Sequence, residues 1–397
     1  MRKRFAGLAI AVLSVTALAL ALSMSAAATA GNAPITLMDI GPINAPGFSL
    51  PSIPVGAQVA INQINKAGGI NKHRLVLITC NDMNNPNTAT GCAHQAITDK
   101  VAAVVGGLSI FDLNIVPYLQ QAKIPWIGES TPDAYTQSNM FVVGSAGIIA
   151  NVGIGEAAVA QGCRKVAVVL SAQSAPVAAT QMTAGVHAAG HGATVVGTWT
   201  APATNPDWAS IVSALRGAGA DCIDSQTGPT ETGGLITAVR AGSPLKMFFL
   251  SGGIPTSLIS QLGAAANGVF VAAGTWPETT NQGAMPYLVD RSQALAPTVP
   301  FDEFLSAGYL SVNIFAQAAK GLKTVTAAAI LKALPKVHGY NTGLGPTVSL
   351  QKAPDAGYPR IFDTDSYLWV ARNGNFYLYQ KKAVNTAAGL RLLPPAK

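Results

Sequence analysis

The sequence predicts an α/β protein made of two doubly wound parallel-sheet lobes. Three observations carry that prediction. Strand-like and helix-like stretches alternate from residue 35 to about residue 275, as expected for α/β layers around parallel sheets. A second, similar succession begins near residue 148. The chain has 397 residues, long enough for two domains of ordinary size.

Ile35–Ile40 reads as the first strand. In the run from Gly56 to Asp82, Ala57, Ala60, Ile61, Ile64 and Ala67 recur at spacings of three and four. That spacing is one buried face of a helix, placed here at 55–67. Gly68-Gly69 ends it, because glycine accepts the left-handed conformation after a helix. Leu75–Thr79 follows as a short apolar strand, stopped by Asn81-Asp82. Helix 88–99 then precedes strand Val101–Val105, and helix 112–122 precedes strand Ile124–Ile127.

The second succession reads as helix 148–161, strand 166–170, helix 176–190, strand 194–198 and helix 207–217. Strand 222–224, helix 231–241 and strand 247–250 complete it. Beyond residue 275 the alternation breaks. Residues 301–320 form a long amphipathic helix and 324–334 a shorter one closed by Pro335. Strands Ser366–Ala371 and Asn375–Gln380 are joined by Asn373-Gly374, a strong hairpin signal. The tail Leu392-Leu393-Pro394-Pro395 has no evident core role and is expected to fray.

Charged residues make up 11% of the chain and hydrophobic ones 49%, which argues against disorder. Arg2-Lys3-Arg4 precedes an uncharged stretch from Phe5 to about Leu22, and Ala28-Thr29-Ala30 is an A-x-A site. Residues 1–30 therefore read as a cleaved secretory signal peptide. No cysteine lies near the junction for lipid attachment, so a periplasmic or secreted protein is expected. Losing the leader removes three of the positive charges behind the formal +7. The remainder is too weak and dispersed for a nucleic-acid partner.

Four cysteines in such a compartment can form disulfides, with three pairings possible. Cys80 ends a strand and Cys92 opens the next helix. Cys163 and Cys222 each stand at the start of an apolar strand. Those two strands could be neighbours in a doubly wound sheet, so 80–92 and 163–222 is the pairing expected, one bridge per lobe. No CxxC or Cys/His pair has zinc-ligand spacing.

Catalytic signatures are missing. His187 and His191 lie four apart on a helix, but no Glu stands between them and no third ligand is evident. Gly153-Ile154-Gly155 falls inside a helix rather than after a strand. There is no G-x-S-x-G elbow, no P-loop and no supported carboxylate pair. A non-enzyme without cofactor or metal is expected.

The wording of the first unit is more specific than its architecture. A helix ending in Ile64-Asn65-Lys66-Ala67-Gly68-Gly69-Ile70, then a strand running to Asp82, resembles the solute-binding proteins of branched-chain amino-acid ABC importers. The resemblance covers roughly residues 33–380 and is strongest over 34–145. It implies a type I periplasmic binding fold whose chain crosses between lobes three times. The crossings fall near Gly144–Gly147, Ala273–Trp276 and Gly343–Thr347. Lobe 1 is then 31–145 plus 276–345, lobe 2 is 146–275 plus 346–390, and 391–397 is a flexible tail.

In open α/β sheets ligands meet the loops at strand C-termini and helix N-termini. Gly106-Gly107-Leu108-Ser109 and Glu129-Ser130-Thr131-Pro132 are two such loops. The resemblance gives them the ligand's α-carboxylate, which makes Ser109, Ser130 and Thr131 the contacts. Read locally, Ser130 and Thr131 could instead cap the next helix. Where amino-acid-binding members place an acid for the α-ammonium, this chain has Ser251-Gly252-Gly253. The tyrosines expected near Gln173–Pro176 and Thr227-Gly228-Pro229 are also absent.

An unpartnered buried ammonium costs several kcal/mol. The expected ligand is therefore a small carboxylate, aromatic or acyl rather than an α-amino acid. The alternative is an amino acid whose ammonium meets a relocated acid among Glu129, Glu231 and Glu278, with Glu129 nearest a contact loop. Phe48, Phe111 and Trp276 could cover an apolar ligand, whereas Trp126 lies in a strand and belongs to the core. The resemblance further implies a monomer that hands its small-molecule ligand to a membrane permease. A ligand-sensing protein is the second alternative.

Overall fold

The computed structural model describes residues 32–396 apart from 47, 130, 132–133, 145–146, 173–175 and 203. The leader and Ser130 thus lie outside the described residues. Five strands form the first sheet: β1 (Ile35–Gly41), β2 (Leu75–Asn81), β3 (Ala103–Val105), β4 (Trp126–Gly128) and β5 (Met140–Val142). All run parallel in the order β2-β1-β3-β4-β5. Residues alternate between two faces. Leu37 packs with Ala57, Ile61 and Phe315 on one side, and Met38 and Ile40 pack with Cys92, Leu119 and Trp126 on the other.

Helix Ser52–Lys66 covers the first face together with helix Glu303–Ala319. Glycine lets the two backbones meet. A Cβ on Gly56 would sit 1.8 Å from the Leu305 carbonyl oxygen, and one on Gly308 would sit 2.0 Å from that of Ile53. Helices Pro86–Thr98 and Val116–Gln121 cover the second face. Helix Ser52–Lys66 begins three residues before its expected start, and 112–122 splits into a short 3₁₀ turn and a helix.

The second sheet contains β6 (Lys165–Ser171), β7 (Thr194–Ala201), β8 (Cys222–Gln226), β9 (Lys246–Leu250) and β10 (Phe270–Ala273). These five are parallel in the order β7-β6-β8-β9-β10. Counted from its own first strand, each sheet therefore runs 2-1-3-4-5. Two short strands, β11 (Tyr340–Asn341) and β12 (Thr347–Val348), pair with each other. Strand β13 (Asp365–Arg372) then adds antiparallel to β10, followed by β14 (Asn375–Leu378), and β15 (Val384–Asn385) pairs with β13. Asn373 and Gly374 turn the hairpin with φ of 49° and 79°, the two left-handed residues of a type I′ turn.

Both expected disulfides are present, Cys80–Cys92 and Cys163–Cys222, with Cα atoms 5.7 and 5.8 Å apart. The second follows from the neighbouring of β6 and β8, which places Val166 opposite Cys222. Strands β5 and β10 and helices Thr256–Leu262 and Met285–Leu295 were not foreseen; all are short or weakly periodic. Among the described residues no helix is long and apolar enough to cross a membrane.

Two boundary expectations change. Val348, Leu350 and Phe362 pack in the first sheet's core, and Ile361 bridges Val142 in parallel. The chain therefore leaves the first sheet only between Phe362 and Asp365, not at Gly343–Thr347. The tail is not frayed over its described part. Leu390 and Leu393 are buried in the cluster of Ile149 and Tyr358, and the Tyr358 hydroxyl donates to the Pro394 carbonyl at 2.7 Å. Two prolines hid a pair of leucines that reach a core.

Candidate functional site

The loops at the C-terminal ends of the strands build the candidate site. After β3, Ser109 is fully buried, and its Oγ donates to Asp82 Oδ2 at 2.5 Å while accepting from the Phe111 amide at 3.1 Å. Asp82 Oδ1 also accepts from the Asn84 amide. Beside them Asp39 of β1 is buried, with Oδ1 unpartnered. Burial pushes its carboxyl up to about 7, a hydrogen bond from Gly107 opposes the shift, and the Asp82 charge adds to it. After β4, the Thr131 amide and hydroxyl both donate to Asp112 Oδ2, at 2.8 and 2.6 Å. The two described hydroxyls expected to hold a ligand carboxylate are thus bonded to carboxylates of their own lobe.

Glu129 follows β4 directly. It is 4% exposed and its Oε1 has no hydrogen-bond partner. Its carboxyl is held well above the ordinary range, first by burial, then by Glu303 and Asp302. Asp302 caps helix Glu303–Ala319 by accepting from the Leu305 amide at 2.8 Å, and it accepts from Ser52 at 2.9 Å. Burial nevertheless raises it to about 6, with Glu278 contributing. Glu303 Oε2 accepts from the Gly274 amide at 3.0 Å. Asp302, Glu303 and Glu278 line a cavity of ≈10 Å³ with Ser251, Thr256, Phe301 and Trp369.

In the second lobe Ser251 directly follows β9. It is 4% exposed with an unpartnered Oγ. Gly253 can carry no side chain, since a Cβ there would lie 2.2 Å from the Thr227 carbonyl oxygen. A Cβ on Gly252 would touch the Phe304 ring at 3.2 Å. Packing therefore excludes an acid at Gly253. The loop after β8 carries a hydroxyl chain, Ser225 to Thr227 at 3.1 Å and Thr227 to Thr232 at 2.8 Å.

Among the aromatic candidates, Phe48 is 43% exposed, and its carbonyl accepts from Asn84 at 2.8 Å. Phe111 is half-buried against the core of the first lobe. Trp276 packs against cores of both sheets and lies edge-on to Tyr367, with centroids 6.4 Å apart. Trp126 is a core residue, as expected. A larger groove of ≈790 Å³ lies at the opposite end of the first sheet, beside Thr36, Lys100 and Lys323, and includes none of these loops.

Sequence reasoning missed Asp39, Asp82, Asp112, Asp302 and Glu303 as members of the site. A signal existed for Asp302, which precedes an apolar helical run as an N-cap does. Nothing local marks the convergence of Asp82 on Ser109 across 27 residues.

Two parallel sheets of one order, each with its loops at the strand C-termini, define a two-lobed binding protein. Residues 41–357 match the periplasmic binding protein family, and the chain belongs to that family. The sequence is similar to that of the Leu/Ile/Val-binding protein homolog 3 of Brucella melitensis, 35% identical over 80 residues. That stretch is 20% of this chain and 22% of the relative's length. A fatty acid ABC transporter substrate-binding protein from Thermomonospora curvata superposes with a TM-score of 0.72 at 15% identity, over 92% of this chain and 95% of that one. A branched-chain amino acid transporter substrate-binding protein from Streptococcus pneumoniae, in complex with isoleucine, gives 0.70 at 21%, over 88% and 99%.

Proposed function

We propose that the protein is the extracytoplasmic solute-binding component of an ABC importer. It captures a small ligand between its lobes and presents the closed form to a membrane permease. The supporting observation is the pair of like-ordered sheets joined through Trp276, which touches both cores. Lobe 1 comprises 32–144 with 276–362, and lobe 2 comprises 147–273 with 365–390. The leader and two disulfides suit an oxidising compartment. Closure follows if the ligand binds the closed state better than the open one.

Between the two ligand chemistries, the buried Glu129 with its unpartnered Oε1 favours a ligand that carries an amino group. A bare carboxylate would enter a site where Ser109 and Thr131 already serve Asp82 and Asp112. The test is a thermal-shift screen of the mature protein, unfolded and refolded to strip carried solute. Amino acids, amines and carboxylates form the panel. A true ligand at about 1,000 times its Kd adds about 4 kcal/mol. Stabilisation by deaminated carboxylates alone would reverse the preference for an amine.

A further inference from the structure

Basic residues of the first lobe lie far apart in the sequence, and the fold gathers them. Crossover helices run back against parallel strands, so helix ends and strand starts share one end of the sheet. At that end of the first sheet stand four turns, 67–74, 99–102, 122–125 and 320–326. They carry Lys72, Arg74, Lys100, Lys123, Lys320 and Lys323, all exposed, against a single acid, Asp99. The turns form one surface. Asn71 Nδ2 donates to the Leu322 carbonyl at 2.6 Å, and Lys100 and Lys323 share the ≈790 Å³ groove with His73 and Asp99.

Two observations set these cations apart. None of the six makes a side-chain hydrogen bond or ion pair with a described residue. At the matching end of the second sheet the cations are engaged internally. There Arg164 donates to the Cys163 carbonyl at 2.7 Å, Lys246 to that of Gln161 at 2.6 Å and Arg240 to that of Asn267 at 2.8 Å. In the first lobe, Lys72, Lys100 and Lys123 also hold φ of 67°, 52° and 57°. Glycine or asparagine occupies such left-handed positions at less cost. Three lysines thus sit on strained backbone with heads that bond to nothing described.

The groove between the turns is amphipathic. Ile35, Val101 and Ile124 are buried along it, Ile97 is 37% exposed, and Lys100 and Lys323 border it. No Phe, Tyr or Trp lines it, so it offers no platform on which nucleic-acid bases could stack. The leader also arrives here. Ala33 lines the groove, and its carbonyl accepts from His73 Nδ1 at 2.6 Å. The uncharged stretch ends near Leu22, and an extended chain from there to Asn32 reaches at most about 36 Å. A leader in the bilayer therefore brings this end of the molecule close to the lipid.

We propose that this end of lobe 1 is a docking face for a bilayer rich in anionic phospholipid. Lysine heads meet the headgroup phosphates, and the Ile97 edge of the groove meets the acyl boundary. Docking of this kind keeps the cleaved protein beside the membrane it was exported across. It shares no residue with the candidate solute site and is independent of the choice of solute. Each basic residue near an anionic surface strengthens binding about fivefold, within a Debye length of roughly 10 Å.

The probe is a vesicle of equal parts phosphatidylglycerol and phosphatidylcholine, sedimented with the mature protein beside a pure phosphatidylcholine control. Binding is expected to the anionic vesicle alone, and to vanish in about 0.5 M salt. Lys72→Asn, Lys100→Asn and Lys123→Asn together remove three charges and suit the left-handed backbone. The fold should therefore persist, checked by calorimetry, while binding falls about a hundredfold. Lys165→Gln, Lys381→Gln and Lys382→Gln remove the same charge from the second lobe and should leave binding within about fivefold. Equal binding to both vesicles overturns the proposal, and so does undiminished binding in the folded asparagine variant. An equal loss in the second-lobe variant would reduce the effect to net charge. Tighter binding to heparin than to the anionic vesicle would assign the face to a polyanion, and either result also overturns it.

Discussion

The two lobes share a strand order and differ in what they place at its end. The residue directly after the fourth strand is Glu129 in the first lobe and Ser251 in the second. Both are 4% exposed and both carry an unpartnered side-chain oxygen. The loop after the third strand ties a serine to a carboxylate in the first lobe, Ser109 to Asp82, and chains hydroxyls together in the second. One scaffold thus places a carboxyl at one strand end and a hydroxyl at the other.

The two disulfides give the largest test of this comparison. Cys163–Cys222 closes a separation of 59 residues and Cys80–Cys92 one of 12. Chain-entropy reasoning assigns about 4 kcal/mol to the first and about 3 kcal/mol to the second. Replacing each pair by serine and measuring urea unfolding should cost the second lobe more. A larger loss from the 80–92 pair would show that strain or residual structure outweighs loop length.

Next in size is Gly253→Ala. Its Cβ would meet the Thr227 carbonyl at 2.2 Å, so the loop must shift, at about 1–3 kcal/mol. Calorimetric unfolding checks it. A neutral result would mean that the loop gives way freely and that packing does not explain the missing acid.

Asp39 gives a pH-dependent effect confined to the first lobe. Its folded-state carboxyl lies at about 7, above its ordinary 3.8. Between those values the folded state holds a proton that the unfolded state has lost, so stability falls as pH rises through this window. Asp39→Asn should therefore raise the Tm at pH 8, by a gain on the order of a few kcal/mol that disappears near pH 4. An equal gain at both pH values would remove titration as the cause. The smallest effect belongs to Phe48→Ala. Phe48 is exposed, so stability should change by less than about 0.5 kcal/mol, and ligand affinity is read independently.

Much of the fold was legible. The spacing of Ala57, Ala60 and Ile61 marked a helix because one face is buried, and Asn373-Gly374 marked a hairpin because both residues take positive φ. Strands β5 and β10, of three and four residues, are too short to show a period. The candidate site was legible only in outline. Loops after β3 and β4 could be located, and Glu129 could be named. The engagement of Ser109 by Asp82 and of Thr131 by Asp112 depends on contacts between separate loops, which no local pattern encodes. The exclusion of a side chain at Gly253 has the same character, because the obstacle is the backbone of Thr227.

The central claim is that a solute held between the lobes closes them. Small-angle X-ray scattering on stripped mature protein tests it most directly, with and without a solute that raises the Tm. The account predicts a smaller radius of gyration with bound solute, and loss of that change in Glu129→Gln when the solute is an amine. An unchanged radius of gyration at saturating solute would contradict it.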